Sequence, residues 1–268
     1  MQDGSLPGLA GCFPFRLGAT SYVVPADVAV NVQALAGKVD DLELVLFESD
    51  RLSDMLDDQT IRILTAAAES QDLSYTVHLP LDIRLGHDDE TQRQTSVEKC
   101  LRVVDRTRIL DPFAYVLHLV REREGRRPGN DVRGWLDRLD GSIRSILESG
   151  VERSALCVEN LDYPLDLVEP LVEEHGLSVC LDVGHLLTRS ESVESHLDRH
   201  LPRCKVVHLH GVVYGHDHRA VSNLPPSVLE SVVKRLSEST DVLRVVTLEV
   251  FSESDYVRSI EAMRRFLP

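Results

Sequence analysis

The chain has 268 residues, 43% of them hydrophobic, enough to bury a large core, and no Pro/Gly/Ser-rich linker divides it, so a single α/β domain is expected. Its 29 Lys+Arg against 44 Asp+Glu leave a formal charge of −15, spread through helical segments, which argues against nucleic acid as a partner because such a surface repels polyanions. Five scattered cysteines without a CxxC pair indicate a reduced, cytoplasmic protein, and no stretch approaches the roughly 18 apolar residues of a membrane span.

Residues 1–15 read as an N-terminal tail and 16–268 as one catalytic domain. The LAGC at 9–12 follows neither a basic start nor an apolar run, so it is not taken as a lipidation signal. Eight apolar or β-branched runs come next: RLGATSYVV (16–24), LELVLFES (42–49), SYTVHLP (74–80), YVLHL (115–119), ALCVENL (155–161), SVCLDVGHL (178–186), KVVHLHG (205–211) and RVVTLEVF (244–251). Amphipathic helix candidates lie between them, including TIRILTAAAES, TSVEKCLRVVDRTRIL, DVRGWLDRLDGSIRSILES and PPSVLESVVKRLSES, the last with a Pro pair at its start. Near-continuous hydrophobicity in the strands indicates a parallel sheet covered on both faces. Eight β-then-α units in a chain of this length predict a (β/α)8 TIM barrel, which typically needs about 250 residues. A doubly wound open sheet would use fewer strands, and neither a G-x-G-x-x-G fingerprint nor a P-loop is present.

Polar residues interrupt these runs near their ends. His78 closes the third, His118 the fourth, Glu159 the fifth, Asp182 and His185 the sixth, His208 and His210 the seventh, and Glu249 the eighth, with His216, Asp217 and His218 on the loop after the seventh. In a parallel barrel such residues converge on one rim, where barrel active sites sit. Imidazole and carboxylate are zinc and manganese ligands, and burying so many ionisable groups without a cation is costly. Taken alone, a strand-end histidine such as His78 is more often a hydrogen-bonded core residue than a ligand. Coincidence is a poor explanation for seven of the eleven histidines and three carboxylates gathering at the ends of six runs and on the loop after the seventh, so a metal site is expected. His210 is left between substrate-facing, ligand-supporting and ligand roles. His87, His175, His196 and His200 are read as surface residues, and Tyr22 as packing. Arg84 and Asp82, after strand three, are weaker candidates, Arg84 as a phosphate contact. Glu48 is read as lining the pocket or supporting a ligand. The basic Arg121–Arg127 stretch reads as a solvated loop.

Glu159 in VENL, Asp182 and His185 in LDVGH, His208 in VHLH and Glu249 in LEV together resemble the metal ligands of the xylose-isomerase-like barrel superfamily, which includes the endonuclease IV group. His78 and His118 resemble further ligands of endonuclease IV, and HDH at 216–218 resembles its Asp-Arg-His loop, with His216 standing where an Asp is expected. The ligand role is therefore open between His216 and Asp217. FRLGATSYVVP, DDLELVLFES and YTVHLPLDIRLG bring the chain nearest the superfamily's cobamide-remodelling hydrolases, a likeness covering nearly everything after residue 15.

The resemblance implies up to three divalent ions, zinc first and manganese or iron next, held by His78, His118, Glu159, Asp182, His185, His208, His216, His218 and Glu249. It implies catalytic roles for Glu159, Asp182 and Glu249, substrate contacts from Arg84, His210 and Glu48, and hydrolysis of the phosphodiester in the nucleotide loop of a corrinoid. The rival expectations are a one-metal sugar isomerase or epimerase with Glu159 and Glu249 as its acid/base pair, an apurinic endonuclease, and a corrinoid-binding module without catalysis.

Overall fold

A computed structural model describes residues 5–48, 53–120 and 130–267, so Ser49 and the Arg121–Arg127 stretch lie outside the described residues. Eight parallel strands close into a barrel: β1 (Arg16–Thr20), β2 (Asp41–Val45), β3 (Ser74–His78), β4 (Ala114–Leu117), β5 (Leu156–Glu159), β6 (Ser178–Asp182), β7 (Cys204–Leu209) and β10 (Val245–Leu248). Two further strands, β8 (Gly211–Val213) and β9 (His216–Arg219), form an antiparallel hairpin where the sequence suggests a loop. The helices are α1 (Val28–Leu35), α2 (Asp58–Gln71), α3 (Glu90–Thr107), α4 (Val132–Leu147), α5 (Glu169–His175), α6 (Val183–Thr188), α7 (Val193–His200), α8 (Pro226–Glu238) and α9 (Glu253–Met263). Asp27, Asp57, Asp89, Asp131 and Ser192 cap α1–α4 and α7 by accepting a backbone N–H, and the Pro225–Pro226 pair opens α8 as predicted.

Alternation along each strand splits the core in two. Outward residues such as Leu42, Leu44, Tyr75, Val77, Leu181 and Leu209 pack under the helices. Inward residues Ala114, Val116, Cys157, Cys180 and Val206 make a smaller apolar plug on the β4–β7 side. On the opposite side the interior is polar, with Asp41, Glu43, Thr76 and Thr247 all fully buried.

The first fifteen residues are not a loose tail as far as they are described. Leu9 and Phe15 are buried, the Leu9 N–H donates to the Lys38 carbonyl at 2.8 Å, and the Tyr256 hydroxyl donates to the Pro7 carbonyl at 3.0 Å. His175 and His200, read as surface residues, are buried in the last turns of α5 and α7, His175 against Asp140 at 2.7 Å. Helix ends that turn back onto the barrel carry their side chains inward, which local sequence does not reveal.

Arg244, only 2% exposed, begins the last run and donates to four carbonyls, those of Cys204, Ser239, Val242 and Leu201, at 2.5–3.0 Å. Arg244→Met would leave those acceptors dry. It is expected to cost at least about 3 kcal/mol, since each orphaned buried acceptor costs about 1–3 kcal/mol, and to lower Tm by roughly 6–12 °C. Thermal denaturation checks it, and an unchanged Tm would show that water replaces the guanidinium.

Candidate metal centre

Strand parity builds the site. His78, Glu159, Asp182 and His208 occupy inward positions at or near the ends of β3, β5, β6 and β7. His118 and Glu249 continue the inward alternation one residue beyond β4 and β10, two positions after Val116 and Thr247. All six are buried. His185 reaches the same place by a different device: it lies in the first turn of α6, not on a strand, because the Asp182 carboxylate caps that helix by accepting the His185 N–H at 2.7 Å. Asn160 locks the arrangement, its side chain pairing with both the N–H and the carbonyl of Asp182.

Glu159 is the hub. Its Oε2 lies 2.8 Å from His118 Nε2, 3.4 Å from His78 Nε2 and 3.8 Å from His208 Nδ1, and its Oε1 lies 3.2 Å from His185 Nδ1. The His78 Nδ1 contacts the Leu79 carbonyl at 2.8 Å, which turns Nε2 toward Glu159. His208 Nδ1 and Glu249 Oε2 are buried, make no hydrogen bond among the described residues, and face each other at 3.3 Å. Two ligands of one ion at about 2.0–2.2 Å lie roughly 3.0–3.5 Å apart, so this spacing is that of a shared cation. The donors fit a metal as overlapping sets, among them His78–His118–Glu159, Asp182–His185–His210 and His210–His218–Glu249.

The hairpin separates the residues of the HDH stretch. His216 is exposed, whereas His218, at positive φ, brings Nε2 to 3.5 Å from Glu249 and Nδ1 to 3.0 Å from Asp217. His216 therefore does not turn into the cluster, and Asp217 joins His185 in lining a cleft of 220 Å³ that also includes Thr188 and Arg189. A larger groove of 520 Å³ between α3 and α4 contains none of these residues.

Of the residues expected to contact substrate, His210 lies within the cluster, and Glu48 and Arg84 have partners on α3. His210 is fully buried, accepting the His218 N–H at Nδ1 (2.9 Å) and contacting Asp182 through Nε2 (3.1 Å), so it braces the site rather than facing open space. Glu48 is tied to Ser53 and to Arg102 of α3. Asp82 pairs with Lys99 at 2.7 Å, and Arg84 is half-buried with its N–H on Ser96. Tyr22 donates to Asp54 at 2.6 Å, a packing and loop-holding role. Sequence reading missed Glu43, Cys180 and Gly184, although Glu43 lies inside the second run and Cys180 and Gly184 each sit two residues from Asp182 on the sixth.

Burial pushes the Glu159 and Glu249 carboxyls up, but the imidazoles against them, His118 and His208 foremost, hold both well below the usual carboxylate range. Burial also opposes charging the imidazoles, yet Asp182 raises His185 to about 10 in the metal-free chain. Because this exceeds the ordinary value of 6.5, the stabilisation from charged His185 is complete below about pH 6.5 and is lost as pH climbs through about 10. The depressed carboxylates act in reverse, losing their contribution as pH falls. Ion uptake at pH 7 is therefore expected to release protons and to tighten with rising pH. Calorimetry in buffers of different ionisation enthalpy counts them, and no release would remove His185 from the ligand set.

The model of the family described as xylose isomerase-like TIM barrel matches residues 34–266. The chain belongs to that family. Among solved structures, a D-tagatose 3-epimerase-like protein is 20% identical over 94% of this chain and 96% of its own, with TM-score 0.73. Endonuclease IV from Thermus thermophilus is 20% identical over 93% and 98%, with TM-score 0.71, and 3-keto-D-glucoside 4-epimerase from E. coli is 13% identical over 94% and 99%, with TM-score 0.69. At these identities the family members share the barrel with this chain, and the likeness carries no chemistry. No curated protein sequence matches the chain.

Proposed function

We propose that the protein is a divalent-metal-dependent phosphodiesterase that cleaves the nucleotide loop of a corrinoid and releases a cobinamide product. The observation carrying this reading is the surplus of donors: overlapping groups built on Glu159, Asp182 and Glu249 exceed what one ion can use. Paired or triple ions suit phosphoryl transfer, whereas the epimerase reading needs only one. His78, His118 and Glu159 would hold one ion, Glu159, Asp182, His208 and Glu249 a second, and His185, His218 and Asp217 a third. Zinc suits the imidazole content best, with manganese and iron compatible. When bound, such ions supply Lewis acidity toward phosphoryl oxygens and acidify water.

The chain's own share is rigid placement and the exclusion of bulk water. Hydrolysis adds a water oxygen to phosphorus and breaks the bond to the departing alcohol oxygen, which takes up a proton. Three apolar side chains stand exposed on loops at the rim among its polar residues: Leu81 after β3, Tyr214 at the tip of the hairpin, and Phe251, 5.1 Å from the His218 ring. That surface favours a broad ligand of low charge over duplex DNA, which the −15 charge also disfavours. Five free thiols agree with a reducing, cytoplasmic setting, and among the described residues no helix is long and apolar enough to cross a membrane.

The test is elemental analysis of untagged protein followed by incubation with cobalamin and chromatography. Two or three ions and a cobinamide species are expected. A single ion with ketose turnover would replace this reading by an epimerase, cleavage of abasic duplex by an endonuclease, and binding without products by a corrinoid carrier.

A further inference from the structure

Strand β2 offers no ligand at the rim, where Val45 stands, but one inward step below it Glu43 is fully buried with its Oε2 2.8 Å from His208 Nε2. Among the described residues its other oxygen has no hydrogen-bond partner, and Oε2 also accepts from the Thr247 hydroxyl at 3.4 Å. A carboxylate is not kept in a barrel interior at such cost without a specific partner. Here that partner is one nitrogen of one imidazole, across the barrel and 165 residues away in sequence.

We infer that Glu43 is a positioning residue for the metal centre: it holds the proton of His208 on Nε2, so that the Nδ1 lone pair faces Glu249, Glu159 and Asp182. Those carboxylate oxygens lie 3.3, 3.8 and 3.9 Å from Nδ1. Glu43 meets Nε2, the ring nitrogen these three carboxylates do not approach so closely, and with His208 and Glu249 it also forms a set of donors within 4.8 Å of one another. With the proton on Nδ1 instead, His208 would be a donor to those carboxylates and could not ligate an ion. A metal-bound imidazole commonly relies on such a carboxylate behind it, and removing one costs about 10–100-fold in metal affinity. His78 has a backbone carbonyl, that of Leu79, in the equivalent place. For His208 the inside of the barrel supplies no carbonyl, because strand backbones are spent on the ladder, and a side chain from a neighbouring layer is the available substitute.

The inference rests on the metal-centre reading but not on the substrate. Glu43→Gln is expected to weaken zinc binding about 10–100-fold at one ion per chain, measured by competition with a chromophoric chelator, while the other ions are retained. In the His208→Ala background the same change is expected to do nothing further. Wild-type zinc affinity in Glu43→Gln, or additive losses in the double variant, would overturn it. Long-range 1H–15N spectra of the zinc-loaded wild-type protein decide independently of whether the variants fold: a His208 proton on Nε2 supports the inference and one on Nδ1 defeats it. A wild-type chain that takes up no divalent ion would sink the metal reading and this inference with it, whereas normal uptake with the proton on Nδ1 would sink the inference alone.

Discussion

Glu159→Ala is expected to abolish turnover, by at least about 10³-fold, and to lower the ion content by more than one per chain, because the side chain stands between ligand sets instead of within one. Four imidazoles from four different elements, His78, His118, His185 and His208, lie within 3.8 Å of its two oxygens. Removing the carboxylate leaves these buried rings facing one another with their largest shared counter-charge gone. Glu159→Gln separates the effects: it fills the same volume but cannot bridge cations as an anion does, so ion content should still fall while the fold survives. Elemental analysis of the two purified variants beside wild type makes the measurement. Full ion content in Glu159→Ala would show that the sets are independent and that Glu159 merely fills space among them.

Gly184→Ala is expected to damage the site through a single methyl group. A Cβ at this position would lie 2.0 Å from His210 Cε1 and 2.4 Å from its Nδ1. His210 has no exposed surface and no room to retreat, being held by Asp182 and the His218 N–H. Overpacking of this kind costs about 1–3 kcal/mol. Activity should fall further, about 10²-fold, because Asp182 and His218 move with the ring and small misplacements at a reacting centre are costly. Melting temperature and turnover measure the two effects. The double variant Gly184→Ala/His210→Ala should regain stability relative to the first by removing the clash, and wild-type activity in Gly184→Ala alone would refute the account.

Several functional positions are legible in the sequence as residues but not as devices. The apolar character of SVCLDVGHL places His185 on a strand. The chain instead turns into α6 at Val183, since Asp182 offers its carboxylate as a helix cap. His210 shares the parity of His208, which suggests an open face, but the hairpin and Gly184 close over it. Glu48 and Glu43 are both carboxylates on the second run. The one at its end, nearer the rim by position, is drawn off to Arg102, while the one inside the strand meets His208.

The sequence alone determined the eight strands, helices α2, α3, α4 and α8, the barrel, and the rim positions of His78, His118, Glu159, Asp182, His208 and Glu249. Those follow from local periodicity and from a parity rule that every parallel strand obeys. Only the tertiary structure decided which nitrogen faces which oxygen, which of His216, Asp217 and His218 turns inward, and that Glu43 meets His208. The Glu43–His208 contact spans 165 positions of the chain, and no local pattern in either segment records the distance between them.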